Sequence, residues 1–230
     1  MHYSAGDDNK RFKWRFRVGV AVSDSPLGPF VDVYGEPMFD FGYATIDASV
    51  LVTENGNYMY YAKDGYGHVI DGIMTGQVYC VRLDDTLTKT VGEHKLMTTP
   101  DQPYERLSLP RGQFWNEGPN VIEYNGKYIM NYSTNHYRSN YYAICMAYAD
   151  NPMGPWTKSK YNPIFSNDGV LFGAGHNAFF KTKDGEIYTS FHVQTNPENP
   201  GADRRAVIGK VKFGVDETGE ITEKIIGCIN

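Results

Sequence analysis

The chain has 230 residues and a net charge of −5, and 41% of its residues are hydrophobic and 14% aromatic, including 18 tyrosines. This composition excludes a disordered chain and favours strands, in which aromatic side chains pack well. The charges form no long run of one sign, which excludes a basic stripe for nucleic acid and a cationic face for a membrane.

The three cysteines, Cys80, Cys145 and Cys228, are odd in number and far apart. They lack the short paired spacing of a zinc site or a disulfide framework, so we expect buried or free thiols. No apolar run approaches the ~20 residues of a transmembrane helix, and residues 1–8 lack the basic-then-apolar order of a signal peptide. These features predict a soluble chain and do not indicate its compartment.

The first predicted unit covers about residues 1–34. A strand is predicted at residues 17–22, after a polar loop at residues 7–13. A turn follows at residues 23–30, and its Asp, Pro, Gly, Pro and closing aromatic residues recur with the same spacing at residues 149–156. The repeat indicates that the two turns belong to equivalent units.

The second predicted unit covers about residues 43–99. Asp47 opens a strand and stands nine residues before Gly56 of an Asn-Gly hairpin turn. A further strand is predicted at residues 77–83, after a loop that contains four glycines between residues 65 and 76. This loop is polar and mobile in character, which makes it a candidate border of a ligand site.

The third predicted unit covers about residues 113–156 and follows a connector through Pro100, Pro103 and Pro110. Glu117, within the sequence Trp-Asn-Glu-Gly-Pro, stands nine residues before Gly126 of another Asn-Gly turn. The hairpin therefore again opens with an acidic residue.

The fourth predicted unit covers about residues 172–221, and His176 stands nine residues before Gly185. Asp47, Glu117 and His176 thus occupy one repeated position. Hairpins inside unequal periods of 70 and 59 residues favour propeller blades over a helical solenoid. A small sheet cannot bury both faces alone, so such sheets stack around an axis and their innermost strands line a channel. We expect the three side chains to meet there.

The first unit lacks this inner position, because counting back by the repeat places it about a dozen residues before Met1. The sequence therefore predicts a single incomplete β-propeller domain over residues 1–230. Open sheet edges invite pairing with another chain, so we expect self-association into a homo-oligomer.

Several sequence motifs stand in order along nearly the whole chain: Ile46-Asp47-Ala48, residues 115–119, residues 173–177, the two repeated turns and Arg204-Arg205. Together they resemble glycoside hydrolase family 43. Members of this family are five-bladed β-propellers that remove arabinofuranosyl or xylosyl units from plant polysaccharides with inversion of configuration. The resemblance implies an all-β propeller of the five-bladed type that lacks the first blade and the inner part of the second.

The resemblance also implies roles for individual residues. Glu117 matches the general acid, and Asp47 matches the carboxylate that orients the acid and tunes its pKa. His176 matches an axial histidine beside a water-coordinated Ca²⁺ ion, which makes it a candidate substrate and metal residue. Arg204 matches the arginine that contacts the sugar, with Arg205 as the alternative if the strand shifts by one. Trp115 is a candidate wall of the sugar site or, alternatively, a packed core residue.

One element of the family pattern has no match. The family's catalytic base is an aspartate in an early Asp-Pro motif, and Asp7 and Asp8 do not match that motif. We therefore expect weak or incomplete activity of this chain alone. A pentose-binding propeller without catalysis is the alternative, and a segment of a longer enzyme is a third hypothesis. The other five histidines share no spacing that predicts a metal or catalytic cluster.

Overall fold

Strands form most of the described part of the chain, which comprises residues 1–6, 16–107 and 112–229 of a computed structural model. Within these ranges the one helical segment is a single 3-10 turn at Pro103–Glu105. This confirms the predicted all-β class. The predicted polar loop at residues 7–13, with Asp7 and Asp8, and Pro110 of the predicted connector lie outside the described residues.

The described residues form five sheets, and three of them are four-stranded antiparallel meanders. The first sheet contains β1 (His2–Ala5), β2 (Arg17–Val22) and β3 (Val31–Asp32). The second contains β4 (Thr45–Thr53) and β5 (Gly56–Lys63), with β8 (Gln77–Leu83) and β9 (Thr90–Thr98). Between β5 and β8, the strands β6 (Val69–Ile70) and β7 (Ile73–Thr75) form a small sheet with β10 (Gln113–Phe114). The predicted glycine-rich loop therefore contains a hairpin.

Two further meanders follow. The third contains β11 (Asn116–Tyr124), β12 (Lys127–Thr134), β13 (Ala143–Ala149) and β14 (Thr157–Lys158). The fourth contains β15 (Phe172–Lys181), β16 (Ile187–Gln194), β17 (Arg204–Val215) and β18 (Ile221–Ile229), so this sheet extends past residue 221. The same hydrogen bond closes each of the two repeated turns, from Gly28 N to Ser25 O (3.0 Å) in the first and from Gly154 N to Asn151 O (2.8 Å) in the second.

The sheets stack because each one buries side chains on both faces. Along β5, Tyr58 and Tyr60 pack against Tyr132 of the third sheet, whereas Met59 and Tyr61 pack in a cluster with Val18 of the first sheet. Alternation along a strand sends successive side chains to opposite faces, so one strand supplies two cores. The third and fourth sheets share further clusters of the same kind.

The first strands of the three meanders, β4, β11 and β15, lie side by side at the centre of the stack. Ser49 Oγ of β4 donates a hydrogen bond to Pro119 O of β11 at 2.6 Å. On the other side of β11, Asn120 Oδ1 accepts one from Phe179 N of β15 at 2.9 Å. Sheets arranged in this way are blades around an axis, as the sequence predicted.

The three cysteines are free thiols, and two of them, Cys80 and Cys145, are buried in the stack. In the part of the chain that the structure describes, no helix has the length and apolarity needed to cross a membrane.

Candidate active site

Each innermost strand carries a β-bulge where it reaches the axis. The pairing of β4 with β5, of β11 with β12 and of β15 with β16 shifts register at Asp47, Gly118 and His176. These three residues have positive φ values of 60°, 57° and 51°. An extra residue at such a place bends the strand and redirects its side chains, which suits a functional site.

The bulges correct the predicted register by one residue, because they align Gly118, not Glu117, with Asp47 and His176. In the β11–β12 hairpin Gly126 is a turn residue, whereas in the β4–β5 hairpin Gly56 already pairs with Thr53 as the first residue of β5. The glycine used to measure the spacing therefore occupies different places in the two hairpins.

Despite that shift, all five predicted site residues line one cavity of about 280 Å³ at the centre of the stack. Asp47, Trp115, Glu117, His176 and Arg204 come from three different blades and meet there. The cavity is also lined by residues that the sequence did not single out: Phe16, Ile46, Asp64, Tyr66, His136, Tyr137 and Tyr142.

Glu117 is held in a buried, negatively charged environment. Its side chain is 8% exposed, and Oε1 accepts a hydrogen bond from Tyr142 Oη at 2.8 Å. Burial, and after it the charge of Asp47, raises the pKa of Glu117 well above its usual range, while Tyr142 and Arg204 act in the opposite direction. Both burial and the neighbouring charge thus favour the protonated form of this carboxyl group.

Of the two carboxyl groups, that of Asp47 has the contacts that favour the ionised form. Its Oδ2 accepts a hydrogen bond from Gly118 N at 3.1 Å and lies 3.9 Å from His176 Nδ1. Burial raises the pKa of Asp47, but His176 and the Gly118 amide both lower it. Two neighbouring carboxyls do not ionise together without cost, and these contacts assign the proton to Glu117 and the charge to Asp47.

Trp115 is both packed and part of the cavity wall. Its side chain is 3% exposed, and Nε1 donates a hydrogen bond to Asp64 Oδ1 at 3.1 Å. The backbone lies against the indole at Gly65 and Gly76, where a Cβ atom would stand 2.8 and 2.6 Å from the ring. His136 meets the indole edge-on, with ring centroids 5.0 Å apart.

Arg204 and His176 border the cavity beside Glu117. The Arg204 guanidinium lies over the ring of Tyr137, 5.3 Å from its centroid. Arg205, the alternative in the sequence analysis, is not part of this lining. The His176 amide is bound to Ser133 Oγ at 2.6 Å, and its imidazole is half exposed.

The described side chains around His176 do not form a calcium site by themselves. Ca²⁺ takes six to eight oxygen ligands, and the one carboxylate within 4 Å of the His176 imidazole is that of Asp47. Among the described residues no group of three or more His, Cys, Asp or Glu side chains is arranged to hold a metal ion. Calcium ligation by His176 stays a prediction, and no chemical step is derived from it.

Two of the additional lining residues, Asp64 and Tyr142, contact the predicted site residues. The sequence offered a signal for one of them. Asp64 directly follows β5 and opens the glycine-rich loop, so its position at the end of a buried strand was a usable signal. Tyr142 precedes β13, and nothing in its surroundings distinguishes it from the other tyrosines.

A family model described as glycosyl hydrolases family 43 matches residues 1–218. The chain belongs to this family. A β-D-galactofuranosidase of Aspergillus niger is 28% identical over 96% of this chain and 57% of its own length. An arabinoxylan arabinofuranohydrolase of Paenibacillus polymyxa is 30% identical over 77% of this chain and 28% of its own length. The chain therefore spans about half the length, or less, of these curated relatives.

Solved structures agree with the family assignment. A thermostable family-43 glycoside hydrolase superposes with a TM-score of 0.87 and 37% identity, over 99% of this chain and 70% of that protein. An α-L-arabinofuranosidase from Lactobacillus brevis superposes with a TM-score of 0.75 at 21% identity, over 96% of this chain and 70% of that protein, which shows the shared fold. The predicted five-bladed type of propeller, present here in part, is thereby confirmed.

Proposed function

We propose that this protein is a glycosidase that removes terminal α-L-arabinofuranosyl or β-D-xylosyl units from plant polysaccharides with inversion of configuration. The observation that carries the proposal is the buried Glu117 carboxyl, whose raised pKa keeps it protonated inside a cavity lined by Asp47, Trp115 and Arg204. A cavity of about 280 Å³ lies at the small end of ligand pockets and suits one sugar unit.

In the proposed mechanism Glu117 protonates the oxygen of the departing sugar chain. Asp47 stays ionised, keeps the pKa of Glu117 high and orients the acid through the backbone of Gly118. Arg204, at the mouth of the same cavity, positions the sugar by donating hydrogen bonds to its hydroxyl groups.

Inversion also needs a carboxylate base on the opposite face of the sugar, ~6.5–9.5 Å from the acid. In the described part of the chain, three carboxyl groups line the cavity, those of Asp47, Asp64 and Glu117. Asp47 and Glu117 already have other roles in this mechanism. Because the sequence has no match to the base-bearing Asp-Pro motif of the family, we propose that the activity of this chain alone is weak.

The named relatives support the substrate class. Besides the arabinoxylan arabinofuranohydrolase, they include a xylosidase/arabinosidase of Bacteroides ovatus that is 30% identical over 68% of this chain and 50% of its own length. The Aspergillus niger relative acts, by its name, on galactofuranosides. Arabinose, a furanose in these polysaccharides, is thus the first sugar to test.

Substitution of the acid tests the proposal. We expect Glu117→Gln to lower the rate on nitrophenyl α-L-arabinofuranoside or β-D-xylopyranoside by at least ~10²-fold, since general acid catalysis contributes about that much or more. Equal rates for the wild type and Glu117→Gln would remove Glu117 from the mechanism.

The second candidate function is binding of a pentose without cleavage, and the unmatched base favours it. A protein of this kind retains measurable binding of arabinosides or xylosides and gives no turnover that depends on Glu117. Calorimetric titration together with the nitrophenyl assay separates the two functions.

We also propose that the chain associates with further copies of itself. In the described residues β1 is an outer strand of its sheet, paired on one side with β2. An unpaired strand edge presents free backbone donors and acceptors to another chain. Light scattering at micromolar protein should therefore give a mass above that of one chain, and a stable monomer would contradict the idea.

A further inference from the structure

Asp64 is a third buried carboxylate in the candidate active site, and the mechanism above does not use it. Its side chain is 5% exposed, and it lines the cavity together with Asp47 and Glu117. It directly follows β5 and begins the loop that carries Tyr66, another lining residue.

One carboxylate oxygen of Asp64 is hydrogen-bonded within the protein. Oδ1 accepts hydrogen bonds from Trp115 Nε1 at 3.1 Å and from Tyr66 N at 3.2 Å. Gly65 and Gly76 leave no gap around the indole, so the orientation of Trp115 is fixed by packing as well as by this bond. Asp64 and Trp115 therefore form one rigid part of the cavity wall.

A structural role alone does not explain why this buried residue is an acid. A neutral amide would accept the Trp115 hydrogen bond equally well, whereas burying a carboxylate without a cation is costly. Within the described ranges no lysine or arginine forms an ion pair with Asp64, and burial, together with the charge of Asp47, raises the pKa of this carboxyl group. A buried acid with a perturbed pKa in a ligand cavity indicates a ligand contact.

We infer that Asp64 is a substrate-binding residue whose second oxygen, Oδ2, accepts a hydrogen bond from a hydroxyl group of the sugar unit that lies against Trp115. A carboxylate accepts and does not donate when it is ionised, which matches a sugar hydroxyl as the donor. The inference deepens the proposed function and rests on it, because it assumes that a sugar occupies this cavity.

Equilibrium binding in the Glu117→Gln background tests the contact without turnover. The probes are methyl α-L-arabinofuranoside and methyl β-D-xylopyranoside, titrated by calorimetry. We expect Asp64→Ala to weaken binding of the preferred glycoside by roughly 10-fold or more, the loss typical of a hydrogen bond to a charged group. Unchanged affinity overturns the inference, as does the absence of binding by the Glu117→Gln parent.

Asp64→Asn is the conservative variant, because its amide oxygen still accepts the Trp115 hydrogen bond. We expect it to fold like the parent and to bind about 3- to 10-fold more weakly, since the acceptor is then neutral. Asp150→Asn is the matched control: Asp150 is 82% exposed and pairs with Lys127 far from the cavity, so affinity should not change. A purely structural role predicts parental affinity for Asp64→Asn.

Deoxy sugars separate a direct contact from an indirect one. If Asp64 binds a hydroxyl group, one monodeoxy analogue of the preferred glycoside binds the parent about 10-fold more weakly, and this penalty disappears in Asp64→Ala. Equal penalties in both proteins, for every analogue, overturn the inference. The proposed function fails by a different measurement, namely hydrolysis that is insensitive to Glu117→Gln.

Discussion

Four charged or hydrogen-bonding neighbours influence the pKa of Glu117. Asp47 of β4 and Asp64 after β5 raise its pKa, whereas Tyr142 before β13 and Arg204 of β17 lower it; His176 of β15 acts on Asp47. Burial is the largest influence and acts upward. A general acid is active while it is protonated, so its pKa sets the upper limit of the active pH range.

We predict that Tyr142→Phe extends activity to higher pH. The Tyr142 hydroxyl donates to Glu117 Oε1 and thereby favours the ionised carboxylate, so its removal raises the pKa of Glu117 further. The phenyl ring keeps the packing of Tyr142, which is 1% exposed. The pH profile of kcat/KM should show the alkaline limb at a higher pH than in the wild type.

Asp47→Asn is the opposing variant for this measurement. Removal of the Asp47 charge lowers the pKa of Glu117, so the alkaline limb should move to a lower pH. If the two substitutions shift the limb in the same direction, Glu117 is not the group that titrates there.

At the scale of the strand, the bulge in β11 brings Glu117 and Asp47 together. Gly118 has φ +57°, and a Cβ atom there would stand 3.3 Å from His176 Cγ. The amide of the same residue donates to Asp47 Oδ2. Any side chain at this residue therefore strains the bulge and presses on the neighbouring blade.

We predict that Gly118→Ala both destabilises the protein and impairs its activity. The left-handed backbone costs an L-residue about 1–2 kcal/mol, and the contact with His176 displaces the β4, β11 and β15 bulges relative to one another. The matched control is Gly126→Ala, which has φ +74° with nothing within 4 Å of its Cβ position. Urea unfolding should show a loss for both variants, larger for Gly118→Ala, and kcat/KM should fall for Gly118→Ala alone. Equal activities would contradict the role of the bulge.

The bulges also explain what the sequence predicted and what it did not. The hairpins and their order were visible in the Asn-Gly turns and in alternating apolar residues, and with the family motifs they predicted the propeller. The register of Glu117 was wrong by one residue because a bulge adds a residue without a fixed signature. Gly118 marks one bulge by its glycine, but Asp47 and His176 adopt the same backbone with side chains.

The site residues also fall into two groups, those that the sequence predicted and those that it did not. Those found in advance stand in family motifs, whereas Asp64 and Tyr142 belong to the site through side-chain contacts with residues that are distant in the sequence. The bond from Trp115 to Asp64 spans 51 residues of sequence and that from Tyr142 to Glu117 spans 25. Side-chain contacts of this kind form only when distant segments pack together, which no local pattern encodes.

At the scale of the whole molecule, a buried polar bridge joins the third and fourth sheets behind the cavity. Asn131 Nδ2 of β12 donates to Glu223 Oε2 of β18 at 2.8 Å, and Asn177 Nδ2, next to His176, donates to Asn131 Oδ1 at 2.9 Å. Glu223 is 5% exposed, and its Oε1 is buried without a hydrogen-bond partner in the described structure. Burial raises the pKa of Glu223 to about 8.

This pKa makes the stability of the blade stack dependent on pH. The unfolded chain releases the Glu223 proton near its ordinary pKa of about 4.3, whereas the folded protein keeps it up to about pH 8. The folded state thus binds more protons in this window, so its free energy of unfolding falls as pH rises from about 4.3 to 8. The loss is on the order of a few kcal/mol.

We predict that Glu223→Gln removes this dependence. A glutamine resembles the neutral glutamic acid, so wild type and variant should have similar free energies of unfolding near pH 5, and the variant should become progressively more stable than the wild type towards pH 8. Urea unfolding across this range measures the difference. Glu217→Gln, in the exposed turn before β18, is the control and should follow the wild type. Parallel pH curves for Glu223→Gln and the wild type would show that Glu223 is ionised in the folded protein, since only a proton held by the fold makes the two curves diverge.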